Sequence, residues 1–261
     1  MQPEIRTVIV TRYVTPLREG GSLPAIVEAD DGFLYVLKFR GAGQGVKALI
    51  AELIGGEIAR LAGLKLPELV FAELNEAYGR AEADEEIQDL LKFSTGLNLG
   101  MSYLSGAATY DPAVVKPDAL LASRIVWLDA FLMNIDRTAR NTNMLLWHNE
   151  LWLIDHGASL YFHHNWESWK EQSVKPFIQI KDHVLLRQAS ALEAVDQSMK
   201  QLLNKEVIDG IVALIPDSWI ESTFDESVET VRNTYAQFLQ TRLESSEIFV
   251  NQAIHARASI V

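Results

Sequence analysis

The sequence predicts an α+β chain of two packed lobes, the first rich in β-strands and the second mainly helical. Three observations predict it. Short apolar runs punctuated by Gly, Pro and Asp-Gly fill the region up to Leu74, apolar residues at helical spacing dominate from Lys181 onward, and neither a low-complexity linker nor an internal repeat separates the two regions. The chain has 261 residues, 48% hydrophobic and 22% charged, so it can bury a substantial core and is neither disordered nor fibrous.

The elements follow in order. A strand around Thr7 to Tyr13 opens the chain. Pro24 to Ala29 and Phe33 to Phe39 read as two strands joined by the tight turn Asp30-Asp31-Gly32. Residues 41–45, Gly-Ala-Gly-Gln-Gly, form a flexible connection, after which Leu49, Leu53, Ile54, Ile58 and Leu61 recur at helical spacing and predict a helix from near Val46 to Gly63. Glu68 to Leu74, after Pro67, is a return strand. The acidic segment 82–89, followed by Leu90, Leu91 and Phe93, predicts a short amphipathic helix or surface excursion. Residues 118–133 are strongly apolar and helical in pattern, 134–143 are polar and loop-like, and Met144 to Trp147 and Glu150 to Ile154 read as short strands around His148-Asn149. Further helices are expected near 182–204, 205–215 and 218–246. A boundary near 95–105, set between residues 97 and 98, divides the lobes, and the cleft between them is the default ligand site.

Composition removes several classes of function. The net charge of -12, without any basic run, argues against direct nucleic-acid binding and against an anionic lipid surface. Zero cysteines exclude disulfides, thiolate zinc sites, iron–sulfur clusters and cysteine nucleophiles, and fit a reducing compartment, so the expected location is the cytoplasm. The opening MQPEIRTVIV lacks the charged and apolar regions of a signal peptide, and no uninterrupted apolar stretch reaches the length of about 18 residues that a spanning helix needs. His163 and His164 belong to no His-x-x-x-His or His-Glu-x-x-His pattern, so no transition-metal site is expected there. The neighbouring aromatic residues Tyr161, Phe162, Trp166 and Trp169 are read as packing.

The chemistry concentrates in two segments. Asn134-Ile-Asp136-Arg137 runs on to Asn141-Thr-Asn143, and Leu153-Ile-Asp155-His156-Gly157 follows, so that polar groups stand at the ends of apolar elements. An aspartate, an asparagine five positions later and a later strand-end aspartate are what a phosphotransfer site requires: one group for the acceptor hydroxyl and two oxygen ligands for a metal on the phosphates. In these segments the sequence resembles the HipA-like kinase family, within the wider group of protein-kinase and phosphatidylinositol-kinase folds. The resemblance reaches back to Tyr35-Val-Leu-Lys38-Phe39, to Glu52 and to Asn98-Leu-Gly100; it covers the chain to about residue 160 and extends less specifically over the helical remainder.

The resemblance implies a two-lobed protein-kinase-like fold, with residues 1–97 as the nucleotide-binding lobe and 98–261 as the helical lobe carrying the catalytic and metal-binding segments. It implies ATP and Mg²⁺ as cofactors, Asp136 as the catalytic aspartate, Asn141 and Asp155 as magnesium ligands, and Lys38 as the lysine at the phosphates. Glu52, or Glu57 as the alternative, would hold Lys38 from the helix. Gly43 and Gly45 would cover phosphates through backbone N–H groups, and Leu99 falls in the candidate adenine hinge, Leu97 to Tyr103. The sequence departs from the better-known kinase pattern in three places. Asp155-His156-Gly157 replaces Asp-Phe-Gly, Ile135 stands where many protein kinases have arginine before the catalytic aspartate, and the glycine-rich loop follows Lys38 instead of preceding it. That loop also lacks the terminal Lys-Ser/Thr of a P-loop.

The leading expectation is therefore ATP-dependent transfer of a phosphoryl group to a hydroxyl acceptor on a protein serine or threonine or on a small molecule. A nucleotide-binding scaffold or sensor with little turnover is the alternative, and a magnesium-dependent phosphohydrolase a weaker one. Arg137 and Arg140 bracket the proposed loop, where balancing phosphate charge and simple surface exposure are equally compatible with the sequence.

Overall fold

In the computed structural model, which describes residues 4–17, 23–78 and 84–261, the first strands close on themselves. β1 (Thr7–Pro16), β2 (Ala25–Ala29), β3 (Leu34–Lys38), β4 (Leu69–Leu74) and β5 (Gly96–Ser102) form a barrel in the order β1-β2-β3-β5-β4. Closure is through β1 and β4, which run parallel, while every other pair is antiparallel. The predicted turn between β2 and β3 is present, with Gly32 at φ 79° and the Phe33 N–H donating to Asp31 Oδ1 at 3.1 Å. Alternation puts Val8, Val10, Val27, Tyr35, Leu37, Val70, Ala72 and Leu74 inside the barrel. A short helix, α2 (Glu85–Phe93), adds Ile87 and Leu91 to that interior and is capped by Asp84, whose Oδ1 accepts from the Glu86 N–H at 3.1 Å. This is the expected helix after the acidic segment 82–89, of which residues 82 and 83 lie outside the described residues.

β5 is a strand that sequence reading missed, as is the two-residue pairing at Ala108–Thr109. Its residues, Gly-Leu-Asn-Leu-Gly-Met-Ser, contain no β-branched side chain, yet they pair with both β3 and β4 and occupy a central position. The expected lobe division at 97/98 falls inside this strand, and we place the boundary after Ser102.

The opposite faces of β4 and β5 present Leu69, Phe71, Leu99 and Met101 to α1 (Gly45–Leu61), the helix expected from near Val46. α1 has twelve buried residues and lies in the core that continues into the second lobe. With about 1.5–3 kcal/mol for each fully buried Leu or Ile, packing outweighs the helix-propensity cost of about 1 kcal/mol for each of Gly55 and Gly56. These two glycines allow close approach: a Cβ on Gly56 would lie 2.6 Å from Leu69 Cδ1, and one on Gly55 would lie 2.8 Å from His156 Cβ.

The second lobe is built on α3 (Ala119–Leu132), which is apolar all round and correspondingly buried, with Asp118 Oδ1 capping the Leu121 N–H at 2.8 Å. A small sheet follows, in which β6 (Ala108–Thr109) pairs with β7 (Met144–Trp147) and β7 with β8 (Glu150–Leu153). His148 and Asn149, at φ 50° and 62°, form the two-residue turn between β7 and β8. The remaining helices are α4 (Trp169–Ser173), α5 (Leu192–Leu202), α6 (Lys205–Val212), α7 (Asp217–Glu221), α8 (Val228–Glu244) and α9 (Ser246–Ala258).

Two of the expected helices are shorter than their apolar pattern. The helix expected from residue 182 begins at Leu192, because His183 is drawn into a bridge with Thr138 and its Nδ1 accepts the Leu185 N–H at 3.0 Å. The one expected over 218–246 is divided, since α7 ends at Glu221 and Ser227 restarts the chain by capping the Thr230 N–H at 3.2 Å. The aromatic residues pack as expected, Phe162 stacking on Trp166 and Phe238 at 5.8 and 3.9 Å, apart from Tyr161, which stays 55% exposed. Arg242 of α8 is 1% exposed and donates to the carbonyls of Ala130, Phe131, Ser173 and Lys175, four acceptors at 2.6–3.3 Å that include the end of α3. Burial without a carboxylate lowers its guanidinium to about 9.

The close approach of α1 can be measured by denaturant unfolding. Gly55→Val should cost about 1–3 kcal/mol through overpacking against His156. Gly43→Ala, whose added Cβ meets nothing within 4 Å, should stay within about 0.5 kcal/mol of the parent chain.

Candidate active site

The end of β3 delivers Lys38 to the junction of the lobes. Its Nζ donates to Glu52 Oε2 of α1 at 2.7 Å and to Asp155 Oδ1, just beyond β8, at 2.6 Å. The Lys38 and Glu52 side chains are 14% and 1% exposed, whereas Asp155 is 47% exposed, so the pair is fixed from behind and open on the aspartate side. Burial would lower the Lys38 ammonium, but the charges of Glu52 and Asp155 outweigh it and hold it above the ordinary lysine value. Burial likewise works to raise the Glu52 carboxyl, and Lys38 and then His156 pull it well below the usual carboxylate range. Asp155 sits at φ 59°, in the left-handed region, which turns the chain sharply between β8 and Gly157. His156 is buried, with Nδ1 3.8 Å from Glu52 Oε1, so it packs behind the ion pair against Gly55.

The second part is the loop after α3. Asp136 Oδ2 accepts from Asn141 Nδ2 at 2.7 Å and from Asn143 Nδ2 at 3.1 Å. Oδ1 of Asp136 carries no hydrogen bond among the described residues, so one oxygen orients the carboxylate and the other faces no protein donor. Asn143, which sequence reading leaves outside the core of the site as a supporting amide or a backbone cap, donates to Asp136 directly.

Beneath the loop lies a buried charge centre that sequence reading missed. Asp129, on α3, accepts from Arg137 Nε at 2.6 Å and from Asn134 Nδ2 at 2.9 Å, and His183 Nε2 stands 2.9 Å from its Oδ2. Because His183 Nδ1 accepts a backbone N–H, its proton lies on Nε2 and points to the carboxylate. Asp129 is held below the usual carboxylate range: burial opposes this, and the Arg137 charge followed by the His183 hydrogen bond overcomes it. Arg137 is 1% exposed, so it neither balances phosphate charge nor lies on the surface; it is the clamp of the loop, while Arg140 is exposed. The signal available in the sequence was Asp129 itself, a carboxylate inside the apolar helical run 118–133 that must find a partner.

Arg137 also connects the two parts, since its Nη1 donates to the Asn143 carbonyl and, at 3.3 Å, to the Ile154 carbonyl. The Ile154 N–H donates to the same Asn143 carbonyl at 3.0 Å, binding the Asp136 loop to the residue before Asp155. The structure thus gathers Lys38, Glu52 and Asp155 at one ammonium, holds Asp136 with Asn141, and ties the two groups together. Gly43 and Gly45 line a different cavity at the start of α1, to which none of those five residues contributes. Leu99 is fully buried, and its β5 neighbours from Leu97 to Ser102 belong to the barrel; the chain leaves the sheet only at Tyr103. Glu57, the alternative partner of Lys38, pairs with Arg60 at 2.6 Å instead.

A barrel lobe and a helical lobe, joined at a lysine, two carboxylates and an aspartate loop, make a protein kinase-like fold. The model of the HipA-like kinase family matches residues 10–249, and the chain belongs to that family of kinases. Among solved structures, the Helicobacter pylori proinflammatory kinase CtkA is similar over 98% of this chain and 99% of its own, with a TM-score of 0.54 at 12% identity. Two structures of the Golgi casein kinase, the second with Mn/ADP bound, are similar at TM-scores of 0.45 and 0.44, each at 12% identity, over 93% and 94% of this chain and 74% and 75% of their own. No curated protein matches the sequence significantly.

The buried Asp129 centre can be tested through stability. Asp129→Asn should cost about 3–5 kcal/mol in denaturant unfolding at neutral pH, because it leaves Arg137 buried without its anion. The folded carboxyl binds its proton less readily than the unfolded one, so the contribution of Asp129 is present above its ordinary value of 3.8 and is lost as pH falls below it. The stabilities of the two chains should therefore converge on acidification; a constant gap would remove Asp129 from the linkage.

Proposed function

We propose that the chain transfers the γ-phosphoryl group of ATP, in the presence of Mg²⁺, to a hydroxyl acceptor, with a protein serine or threonine as the acceptor class that the family resemblance favours. The observation that carries this reading is the ammonium of Lys38 held between Glu52 and Asp155, beside a loop in which two amides orient Asp136. Phosphoryl transfer asks mainly for alignment and charge stabilisation, and both are supplied by groups fixed before any substrate arrives.

Each residue then has a distinct task. Lys38 places a fixed positive charge at the phosphates, with Glu52 preventing its side chain from turning away. Asp136 accepts the proton of the acceptor hydroxyl through Oδ1 as the hydroxyl oxygen forms its bond to the γ-phosphorus, and the bond from phosphorus to the bridging β–γ oxygen breaks to release ADP. Asp155 and Asn141 fit a hard cation: Asp155 Oδ2 and Asn141 Oδ1 accept no hydrogen bond among the described residues, and both are oxygen donors of the type that Mg²⁺ prefers. Such a cation, when bound, supplies charge neutralisation for the phosphate oxygens. No helix among the described residues is long and apolar enough to cross a membrane, and the absence of cysteine supports a cytoplasmic site of action.

Turnover of γ-labelled ATP, followed as label on protein, on added acceptors and as free phosphate, tests the proposal. Asp136→Asn should reduce transfer by about 10²–10⁴-fold while MgATP affinity stays close to that of the parent chain. Asp155→Asn should weaken metal-dependent nucleotide binding as well, and Lys38→Met should impair turnover without unfolding the chain. A folded, nucleotide-bound chain without Asp136-dependent transfer would instead be a sensor or scaffold, and label released only as phosphate would make it a hydrolase.

A further inference from the structure

The polar cavity lined by Gly43 and Gly45, of about 660 Å³, opens where the start of α1, the Tyr161–His164 segment and the Ser222-Thr223 turn meet. Arg40, Lys47 and His164 line it, with the hydroxyls of Ser222 and Thr223, and no carboxylate contributes to its wall. This is unexpected for a chain whose net charge is -12. Among the described residues, neither cation is neutralised by an acid. Arg40 Nη2 donates to Ser222 Oγ at 3.0 Å, and Lys47 Nζ donates to the His163 carbonyl at 2.6 Å and lies 5.2 Å from the centre of the Phe224 ring. The local field is felt by His164, whose imidazole is lowered by burial and then by Lys47. Gln44, at the N-cap of α1, makes no side-chain bond to the first-turn amides, so the positive end of that helix adds to the same field.

The cavity is separate from the transfer centre. None of Lys38, Glu52, Asp136, Asn141 and Asp155 lines it, and its nearest wall residue on α1, Lys47, precedes Glu52 by five residues, about 7.5 Å along the axis at 1.5 Å per residue. Its chemistry is that of an anion receptor, with a guanidinium, an ammonium and the Thr223 hydroxyl on a wall without a carboxylate, while Ser222 Oγ donates to the Trp219 carbonyl at 3.1 Å. The exposed rings of Phe93 and Tyr161 on its wall provide apolar surface for groups that flank a charge.

We propose that this cavity binds a phosphate group, carried by a phosphorylated serine or threonine or present as the free ion, with Arg40 and Lys47 as its principal ligands. The site rests on these cations and not on whether the transfer centre turns over. Occupancy would bridge the connection after β3, the end of α2, α1, the segment that follows Asp155 and the turn after α7, because each contributes a lining residue.

Binding to the full chain is the test, using a fluorescent peptide with one phosphoserine, the same peptide with serine, inorganic phosphate, and MgATP as a parallel ligand. The phosphopeptide or phosphate should bind, with the serine peptide weaker than the phosphopeptide by about tenfold or more. Arg40→Gln combined with Lys47→Gln should weaken phosphate-group binding by about tenfold or more, leaving MgATP affinity within about threefold. Since both cations also make contacts between elements, Thr223→Asp serves as a second variant that adds a carboxylate to the cavity and removes neither; it should produce the same loss. Phosphopeptide tighter than inorganic phosphate assigns a protein-borne group, and equal affinity assigns the free ion; both support the site. Failure of the parent chain to bind either probe, binding that survives both variants, or an equal loss of MgATP affinity would overturn it.

Discussion

One ammonium group organises this molecule. Lys38 belongs to the barrel, Glu52 to α1 and Asp155 to the hairpin of the second lobe, and they meet at Nζ over distances of 2.6 and 2.7 Å. Leaving a charge buried without its partner is strongly unfavourable, so the position of each element is conditional on the other two. The ion pair cannot be adjusted simply by swinging α1, since that helix is buried in the core running from β4 and β5 into the helical lobe. The geometry at Lys38 is consequently set by folding and is available before any ligand arrives.

A second buried charge centre performs the corresponding task for the Asp136 loop. Loops of ten residues are ordinarily free to move, but this one is pinned from below by Asp129 through Asn134 and Arg137, and its far end is stitched to Ile154. Arg242 acts one layer further out. By donating to the last carbonyls of α3 it satisfies the end of the helix from which the loop departs. Rigid support for the half-buried Asp136 carboxylate thus descends through a helix terminus, a buried ion pair and an arginine that is neutralised by carbonyl dipoles instead of an acid.

Net charge conceals this local arrangement. A chain at -12 has a repulsive far field for anions, yet Arg40 and Lys47 line one cavity to whose wall no carboxylate contributes. Field strength inside a partly enclosed site depends on the nearest unpaired groups far more than on the total.

The sequence by itself determined the order of the lobes, most of the strands, α1, α3 and the β7–β8 turn, and its resemblance to a kinase family singled out Lys38, Glu52, Asp136, Asn141 and Asp155. These were legible because period, turn chemistry and motif spacing are local properties of the chain. It did not reveal β5, whose glycines and lack of β-branched residues give no strand signal and whose conformation is imposed by β3 and β4 on either side. Nor did it reveal the interruptions of the later helices, where His183 and Ser227 form tertiary or capping bonds that override an apolar period. Only the tertiary structure decided that Arg137 is buried, that Asn143 holds Asp136, and that Gly43 and Gly45 face a cavity of their own. Those facts depend on which distant groups share a small volume, and a buried charge or an unpaired one acquires its meaning from neighbours that sequence order does not contain.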